Sequence, residues 1–348
     1  MTKVKQAVIM VGGQGSRLMP FTKYRPKQSL PVLNKPIIRY LLESMAGAGI
    51  EEVILACGTG VRSQPLKEVI NNGPNMGLTV EYSNEEEPLG TGGAIKLVED
   101  RLDDVFVAAN GDVFADILLK EQIDAHISNK ADMTIALTKV KDEDRHKFGI
   151  AIVEEDGRII EFKEKPRADE TSSNLANAGI YVINKDMISL TEKKVFDLSK
   201  DLIPLIMEKQ KRIQSIVLKG MWWDVGRPGD LLDVNLAMAY KICDHAKWEK
   251  RVRSSIIGRP FYLGEDSFVI DSDVSSAVIL EKSRVSGSRL TKAMIMGNCD
   301  VVSATIKNSI IGAGCTICPG AEIIDSDIED GRTVERGEKI EGERVKKD

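Results

Sequence analysis

The last third of the chain carries a short repeat that few folds can accommodate. Aliphatic residues recur there in steps of five or six, at Ile306, Ile311, Ile317, Ile323, Ile328, Val334 and Ile340. A glycine follows three positions after four of them, at Gly314, Gly320, Gly331 and Gly337, and weaker copies extend back through Ile279, Val285, Leu290 and Ile295. One inward aliphatic residue per flat face predicts the stacked coils of a left-handed parallel β-helix, a hexapeptide-repeat fold. The alternative is an irregular β-rich tail that alternates by chance.

A different pattern fills the chain from residue 6 to about 220, where short apolar runs alternate with helical spacing. The predicted strands are Ala7–Val11, Val53–Cys57, Leu78–Tyr82, Val105–Ala109, Met133–Leu137 and Ile180–Ile183. The predicted helices are Pro36–Ala48, Gly93–Leu102, Leu118–Ser128 and Ser199–Lys209. Strands separated by helices predict an α/β domain with a mostly parallel sheet, whose ligands lie beyond the carboxyl ends of its strands.

One long helical pattern, Gly229–Cys243, separates the two regions, and Asp230 is an acid of its first turn. We therefore predict three parts: a first domain over 1–228, a connecting helix over 229–250, and the β-helix over 251–348.

Charge and composition exclude several classes of function. With 48 basic and 53 acidic residues the chain has no surplus of cations for a nucleic acid or an anionic membrane. We find no apolar run long enough to cross a bilayer. Five cysteines, an odd and sparse set, indicate a reducing compartment, and we expect the cytoplasm. Cys315 and Cys318 form a lone C-x-x-C inside the repeat, so we interpret them as packing residues and not as a metal or redox site.

The strongest chemical signal follows the first predicted strand. Gly12, Gly13 and Gly15 come directly after Val11, and such glycines let backbone N–H groups approach an anion closely. The spacing fits neither the dinucleotide fingerprint nor the P-loop. Arg17 and, ten residues on, the proline-flanked Lys27 add two cations, so the segment predicts a phosphate-binding loop. The structural alternative is a glycine turn without a ligand.

This loop, G-G-x-G-x-R-L-x-P followed by P-K, resembles the opening motif of the sugar-1-phosphate nucleotidylyltransferases, also called nucleotide-sugar pyrophosphorylases. Further segments resemble that family in the expected order: Glu87–Ala94, Asn110–Asp112, Phe148-Gly149, Glu164–Pro166, Asn177–Gly179 and Trp223–Pro228. The resemblance implies a Rossmann-like nucleotidyltransferase domain, and a C-terminal left-handed β-helix is also common in the family.

The resemblance also implies roles for individual residues. Nucleotide contacts fall on Val11, Gly12, Gly13, Gly15, Glu87, Pro88, Gly90 and Thr91. Sugar-phosphate contacts fall on Gly111, Gly149, Glu164, Lys165, Asn177 and Gly179. Asp112 and Asp224 are the implied ligands of Mg²⁺. The catalytic set is Arg17, Lys27, Asp112 and Lys165.

The chemistry of the reaction explains why cationic groups are needed. Transfer of a nucleoside monophosphate to a sugar 1-phosphate brings two polyanions together, and cations screen that repulsion. Arg17 and Lys27 would draw charge toward the departing pyrophosphate, and Lys165 would orient the nucleophile. The sugar phosphate is already an anion, so no general base is needed, which fits a chain with three histidines.

Each of these residues has a simpler interpretation. Asp112 could cap a following helix, Asp224 could be a buried acceptor for backbone amides, and Lys165 could be a solvated charge. At the level of the whole chain, a regulatory subunit without turnover is one alternative. Acetyl transfer in the β-helix is another, although no histidine follows His245 to serve as its base.

The base and the sugar are open at this point. Val11 before the glycines and the segment from Glu87 look more like mannose-1-phosphate guanylyltransferases, which implies GTP and mannose 1-phosphate. Glucose-1-phosphate thymidylyl- or uridylyltransferases are the alternative. We also expect a homo-oligomer assembled through the β-helix.

Overall fold

The computed structural model describes residues 3–13, 15–58, 63–71, 76–167, 169–242 and 248–343. By the contacts between its residues the chain divides into two compact units. The first consists of Met1–Gly13 and Ile38–Trp223, and the second of Gln14–Ile37 and Asp224–Asp348. Residues 14–37, which include Arg17 and Lys27 of the predicted phosphate loop, therefore group with the C-terminal part. The boundaries at 228 and 250 stay a prediction.

The helices and strands follow in chain order. The α-helices are α1 Ile37–Gly47, α2 Ser63–Asn71, α3 Gly90–Lys96, α4 Leu119–Ser128, α5 Ile203–Glu208 and α6 Pro228–Lys241. The strands up to α6 are β1 Gln6–Met10, β2 Pro31–Val32, β3 Lys35–Pro36, β4 Glu52–Gly58, β5 Thr79–Glu85, β6 Val105–Asn110, β7 Val113–Ile117, β8 Met133–Lys139, β9 Gly149–Val153, β10 Ile159–Glu164, β11 Leu175–Asn184, β12 Ile213–Val217 and β13 Gly220–Asp224. After α6 come β14 Val252–Arg253, β15 Ile256–Leu263, β16 Phe268–Ile270, β17 Asp273–Ile279, β18 Arg284–Ser286, β19 Arg289–Ile295, β20 Asp300–Val302, β21 Thr305–Ile311, β22 Thr316–Ile317, β23 Glu322–Ile324, β24 Asp327–Ile328, β25 Thr333–Val334 and β26 Lys339–Glu341.

The first unit is built on one nine-stranded sheet. Its main path is β10-β9-β11-β6-β1-β4-β5, and β8 pairs with both β11 and β12. The neighbours β6, β1, β4 and β5 run parallel, as predicted, whereas β11 runs antiparallel to β6 and β8. Every residue of β1 is buried, and Ile9 and Val8 belong to two separate core clusters. Such alternation is expected of a strand covered on both faces, and the α/β fold is confirmed.

The second unit contains a parallel β-helix. Two all-parallel sheets run through it, in the orders β14-β16-β18-β20-β22-β25 and β15-β17-β19-β21-β23-β26. Residues paired between neighbouring coils are 16 positions apart at Asp273–Arg289 and 17 at Thr305–Glu322. All eleven aliphatic residues of the predicted repeat lie in its buried core. The four phased glycines all have a φ between 71° and 80°, the left-handed region that glycine adopts without strain. The repeat was therefore interpreted correctly, and chance alternation is excluded.

The packing interpretation of the C-x-x-C is also confirmed. Cys315 is buried in the β-helix core, and its thiol donates to the Glu329 carbonyl oxygen at 3.1 Å. Cys299 lies one coil earlier and bonds the Gly312 carbonyl in the same way, as Ser283 does with Met296 one coil before that. A small side chain that donates across the turn thus repeats from coil to coil. Cys318 is half-buried, and all four cysteines among the described residues are free thiols.

Two further predictions were only partly right. The predicted helix Gly93–Leu102 is the shorter α3, followed by a single 3-10 turn at Glu99–Arg101. The predicted helix Gly229–Cys243 is α6, with Asp230 in its first turn, and Cys243 lies outside the described residues. Among the residues the structure describes, no helix has the length and apolar character of a membrane span.

Candidate active site

The glycine loop leaves the sheet at the carboxyl end of β1. The Val11 amide donates to the Ala56 carbonyl at 2.9 Å, which extends the pairing with β4 by one residue. Gly12 and Gly13 are exposed, and a Cβ on Gly13 would have no atom of the described residues within 4 Å. The protein's own packing therefore does not require a glycine there. Open backbone at the end of a parallel strand is where a ligand of such a sheet is expected.

The loop continues in the second unit and brings the predicted cations to Asp224. The Thr22 hydroxyl donates to the Gly15 carbonyl at 2.7 Å, which folds the loop back on itself. The Lys27 side chain is only 7% exposed, and its Nζ lies 3.7 Å from Asp224 Oδ1. Arg17 is exposed, and a Cβ on Gly226 would lie 3.9 Å from its Cζ. Arg17, Lys27 and Asp224, predicted from separate motifs, thus belong to one local arrangement.

The start of α6 fixes the backbone that follows Asp224. Asp230 Oδ2 accepts the amides of Gly226 at 3.1 Å and Arg227 at 2.8 Å. Burial of this carboxyl raises its pKa, and the two amide hydrogen bonds oppose that shift. An acid in the first helical turn also satisfies N–H groups that the helix leaves unpaired. The turn from Asp224 to α6 is therefore held by the helix itself.

The segment Glu87–Ala94, with its predicted nucleotide contacts, is braced by a part of the chain that the sequence did not indicate. The Phe196 carbonyl accepts the amides of Gly92 at 2.9 Å and Gly93 at 3.1 Å. Asp197 Oδ1 accepts the Thr91 amide at 3.3 Å and lies 3.4 Å from the Thr91 hydroxyl. A Cβ on Gly90 would lie 2.6 Å from the Phe196 carbonyl oxygen. The glycines of α3 are thus required by a close backbone approach, while Glu87 and Pro88 before them are exposed.

The first predicted metal ligand lies in a tight turn between two strands. Gly111 follows β6 and donates to the Met10 carbonyl at 2.9 Å, and a Cβ there would lie 2.5 Å from Val11 Cγ1. Asp112 is half-buried and is followed by the strand β7. It therefore does not cap a helix, which removes the simpler interpretation of this residue.

Two predicted sugar-phosphate segments pack against each other on β9 and β10. Gly149 is paired with Glu164 across the two strands. A Cβ on Gly149 would lie 2.8 Å from Glu164 Oε2 and 2.4 Å from Phe162 Cζ. Lys165 is exposed, has a left-handed φ of 51°, and donates its amide to the Phe148 carbonyl at 2.9 Å. A non-glycine residue in this conformation is uncommon and costs free energy, so the surrounding contacts hold the Lys165 backbone in place.

The third sugar-phosphate segment is an irregular part of β11. The pairing of β11 with β8 shifts register between Asn177 and Tyr181. Within that shift Asn177 accepts the Gly179 amide at 2.9 Å and donates to the Tyr181 hydroxyl at 2.8 Å. Gly179 has a φ of 72°, and a Cβ on it would lie 2.5 Å from Asn110 Nδ2. This segment is therefore packed directly against the end of β6, which precedes Asp112.

Trp222 contacts two of the three predicted sugar-phosphate segments, a role that we did not predict from the sequence. Its indole N–H donates to the Ala178 carbonyl at 2.9 Å, and its ring meets Phe148 edge-on at 5.8 Å. The signal available in the sequence was the Trp222-Trp223 pair directly before Asp224, since buried tryptophans are usually anchored through their N–H.

The two aspartates fit a magnesium ion by their chemistry. Mg²⁺ prefers oxygen ligands, and proteins often supply only one or two carboxylates while substrate phosphates complete the shell. Asp112 is half-buried and the Asp224 side chain is 39% exposed, so both are accessible and neither is a fully buried acceptor. The described residues contain no group of three or more His, Cys, Asp or Glu arranged for a metal.

Comparison with known proteins gives the family. A family model described as nucleotidyl transferase matches residues 6–241, well over half of the chain. The catalytic subunit beta of mannose-1-phosphate guanylyltransferase from Drosophila pseudoobscura is 36% identical over 231 residues, 65% of this chain and 60% of that protein. Mannose-1-phosphate guanylyltransferase from Mycobacterium tuberculosis and mannose-1-phosphate guanyltransferase from Saccharomyces cerevisiae are each 35% identical over 65% of this chain and 62% and 63% of their own length. The matches thus span about three fifths of these relatives. The chain belongs to the nucleotidyl transferase family.

Proposed function

We propose that the protein transfers a nucleoside monophosphate from a nucleoside triphosphate to a sugar 1-phosphate, and that its substrates are GTP and mannose 1-phosphate. The observation that carries the proposal is the arrangement of Arg17 and the buried Lys27 on one glycine-containing loop, with Asp224 Oδ1 3.7 Å from Lys27 Nζ. Burying the Lys27 ammonium group beside a carboxylate costs free energy. Binding of a polyphosphate would explain why the protein has a lysine at this position.

In this reaction an oxygen of the sugar phosphate attacks the α-phosphorus of the triphosphate. The bond from the α-phosphorus to the bridging oxygen breaks, and pyrophosphate leaves with the electron pair. Arg17 and Lys27 bind the triphosphate and draw charge toward the leaving group, and Lys165 orients the attacking phosphate. Asp112 and Asp224 would hold Mg²⁺, which supplies Lewis-acid stabilisation of the phosphate charge. No proton has to be removed from the nucleophile.

The choice of guanine and mannose rests on the relatives and on two motifs. The matched relatives carry the name mannose-1-phosphate guanylyltransferase. Val11 and the segment from Glu87 resemble that type of enzyme more than the thymidylyl and uridylyl type. Thymidylyl or uridylyl transfer to glucose 1-phosphate is the alternative within the same chemistry. A regulatory subunit without turnover is less well supported, because the predicted phosphate and metal residues Arg17, Lys27, Asp112 and Asp224 are all present.

The test is a substrate panel with the full-length protein and Mg²⁺. Each of the common nucleoside triphosphates is paired with mannose, glucose and N-acetylglucosamine 1-phosphates, and pyrophosphate release is measured. We expect the highest kcat/KM for GTP with mannose 1-phosphate. A preference for another pair would correct the substrates, and pyrophosphate release that does not depend on any sugar phosphate would refute the transfer reaction.

We also propose a homo-oligomer assembled through the β-helix and a cytoplasmic location. Two large apolar residues of its first coils are exposed, Ile256 at 72% and Phe268 at 40%, which supports an interface. The free thiols of the four described cysteines fit a reducing compartment.

A further inference from the structure

The loop that carries Arg17 and Lys27 is attached to the last coils of the β-helix. Lys23 Nζ lies 2.7 Å from Glu329 Oε1, and the Arg25 guanidinium forms an ion pair with the Asp330 carboxylate. Both acids stand between β24 and β25, about 300 positions further along the chain. We call these two ion pairs the loop clamp.

The Arg25–Asp330 pair is less exposed to solvent than the Lys23–Glu329 pair. Their side chains are 29% and 21% exposed, whereas those of Lys23 and Glu329 are 43% and 37% exposed. Exposed ion pairs contribute little, because water and salt screen them, and screening weakens with burial. The Arg25 pair should therefore dominate the clamp.

Asp330 is itself fixed to the β-helix. Its Oδ1 accepts the Ala313 amide of the preceding coil at 2.9 Å, while Oδ2 faces Arg25. A Cβ on Gly312 would lie 2.6 Å from Asp330 Oδ1, so the coil leaves room for this carboxylate only because residue 312 is glycine. A carboxylate that is anchored in this way holds its partner at a defined position.

The clamp sits between the two cations that the proposed reaction uses. Arg25 is two residues before Lys27, and Lys23 is six residues after Arg17. Tyr24 before Arg25 is exposed, whereas Pro26, Lys27 and Gln28 after it are buried, so movement at Arg25 would be transmitted to Lys27 along a packed segment.

We infer that Asp330 is a positioning residue for triphosphate binding: through Arg25 it holds the loop in the conformation in which Arg17 and Lys27 meet the nucleotide. The inference rests on the proposed function. It gives the β-helix a part in the nucleotide site, and it makes the loop sensitive to any change in the last coils.

The test uses Asp330→Asn in the full-length protein. Asparagine keeps an oxygen for the Ala313 amide but removes the charge that faces Arg25. We expect kcat/KM for the nucleoside triphosphate to fall about fivefold, the size of an ion pair worth about 1 kcal/mol. The KM for the sugar phosphate should change by less than about twofold. Backbone hydrogen exchange over residues 18–30 should become faster without any substrate present.

Two further sets of variants test whether the effect comes from the Arg25–Asp330 contact. Glu322→Gln removes an exposed pair with Lys339, 3.0 Å apart in the same β-helix, and should change neither quantity. Arg25→Gln should match Asp330→Asn, and the double variant should be no worse than either single one, because the two side chains act through one contact.

The possible failures are distinguishable. A wild-type protein that releases no pyrophosphate from any substrate pair refutes the proposed function, and with it the positioning role. An active protein in which Asp330→Asn leaves kcat/KM for the triphosphate unchanged overturns the inference, even if exchange becomes faster, since the pair would then be structural only.

Discussion

Replacing Gly149 with alanine should damage use of the sugar phosphate while leaving the triphosphate unaffected. The new Cβ would lie 2.4 Å from Phe162 Cζ and 2.8 Å from Glu164 Oε2. Since ordinary contact begins at 3.4 Å, the Phe162 ring has to withdraw by about 1 Å, and the Glu164 carboxylate has to turn away. Overpacking of this kind costs about 1–3 kcal/mol of stability, so the melting temperature should fall by several degrees.

The kinetic effect should be larger than the effect on stability. Misplacing a substrate-positioning group by about 1 Å can cost up to about a hundredfold in rate. We therefore expect kcat/KM for the sugar 1-phosphate to fall by about ten- to a hundredfold, measured by pyrophosphate release with the other substrate saturating. KM for the triphosphate should stay within about twofold.

A matched glycine gives the control. Gly47 ends α1 with a φ outside the left-handed region, and a Cβ there would meet no described atom within 4 Å. Gly47→Ala should leave both kinetic constants unchanged and should not lower the melting temperature. Equal losses for both substrates in Gly149→Ala, or an unchanged kcat/KM for the sugar phosphate, would refute the assignment of the Gly149–Glu164 pair.

Three further outcomes can be measured. Activity should require a divalent ion and be lost in excess chelator, and Asp112→Asn or Asp224→Asn should each lower kcat at least about a hundredfold while the protein stays folded. Burial lowers the pKa of His126, whose ring bonds Thr134 and Asn184 at 3.0 Å, so below about pH 6.5 the unfolded state takes up a proton that the folded state resists. The free energy of unfolding, measured with urea, should therefore fall from pH 7 toward pH 5, and this group should contribute at most about 1.4 kcal/mol per pH unit. The fall should be less steep in His126→Gln. His146→Gln, a change at an exposed site, should keep the wild-type slope. Light scattering should give more than one subunit for the full chain, and a monomer there would refute the proposed assembly.

The sequence was most informative where buried apolar residues recur at one regular spacing. The inward residues of the β-helix, such as Ile306 and Ile317, could be assigned because each coil repeats the same environment. β1 could be assigned for a similar reason, since an unbroken apolar run can only be buried on both faces. The types and spacing of Gly15, Arg17 and Lys27 predict an anion site, and that role stays a prediction.

Contacts between segments that are distant along the chain were not indicated by the sequence. Phe196 and Asp197 brace Thr91 from about a hundred positions away, and nothing in their own neighbourhood marks them. The grouping of residues 14–37 with the β-helix depends on pairs such as Arg25 with Asp330, and charged residues of this kind look solvated in a sequence. The strands β7, β10, β12 and β13 were also missed, because short strands with polar residues lack the apolar runs that indicated the others. β9 was missed although its five residues, Gly149–Val153, are all apolar.

The central claim is that an oxygen of the sugar phosphate attacks the α-phosphorus of the triphosphate. Mannose 1-phosphate carrying ¹⁸O in the non-bridging phosphate positions, incubated with unlabelled GTP, Mg²⁺ and the full-length protein, tests it by mass spectrometry of both products. The nucleotide sugar should retain all of the label, and the pyrophosphate should contain none. Label in the pyrophosphate, or release of labelled inorganic phosphate in its place, would refute attack of the sugar phosphate on the α-phosphorus.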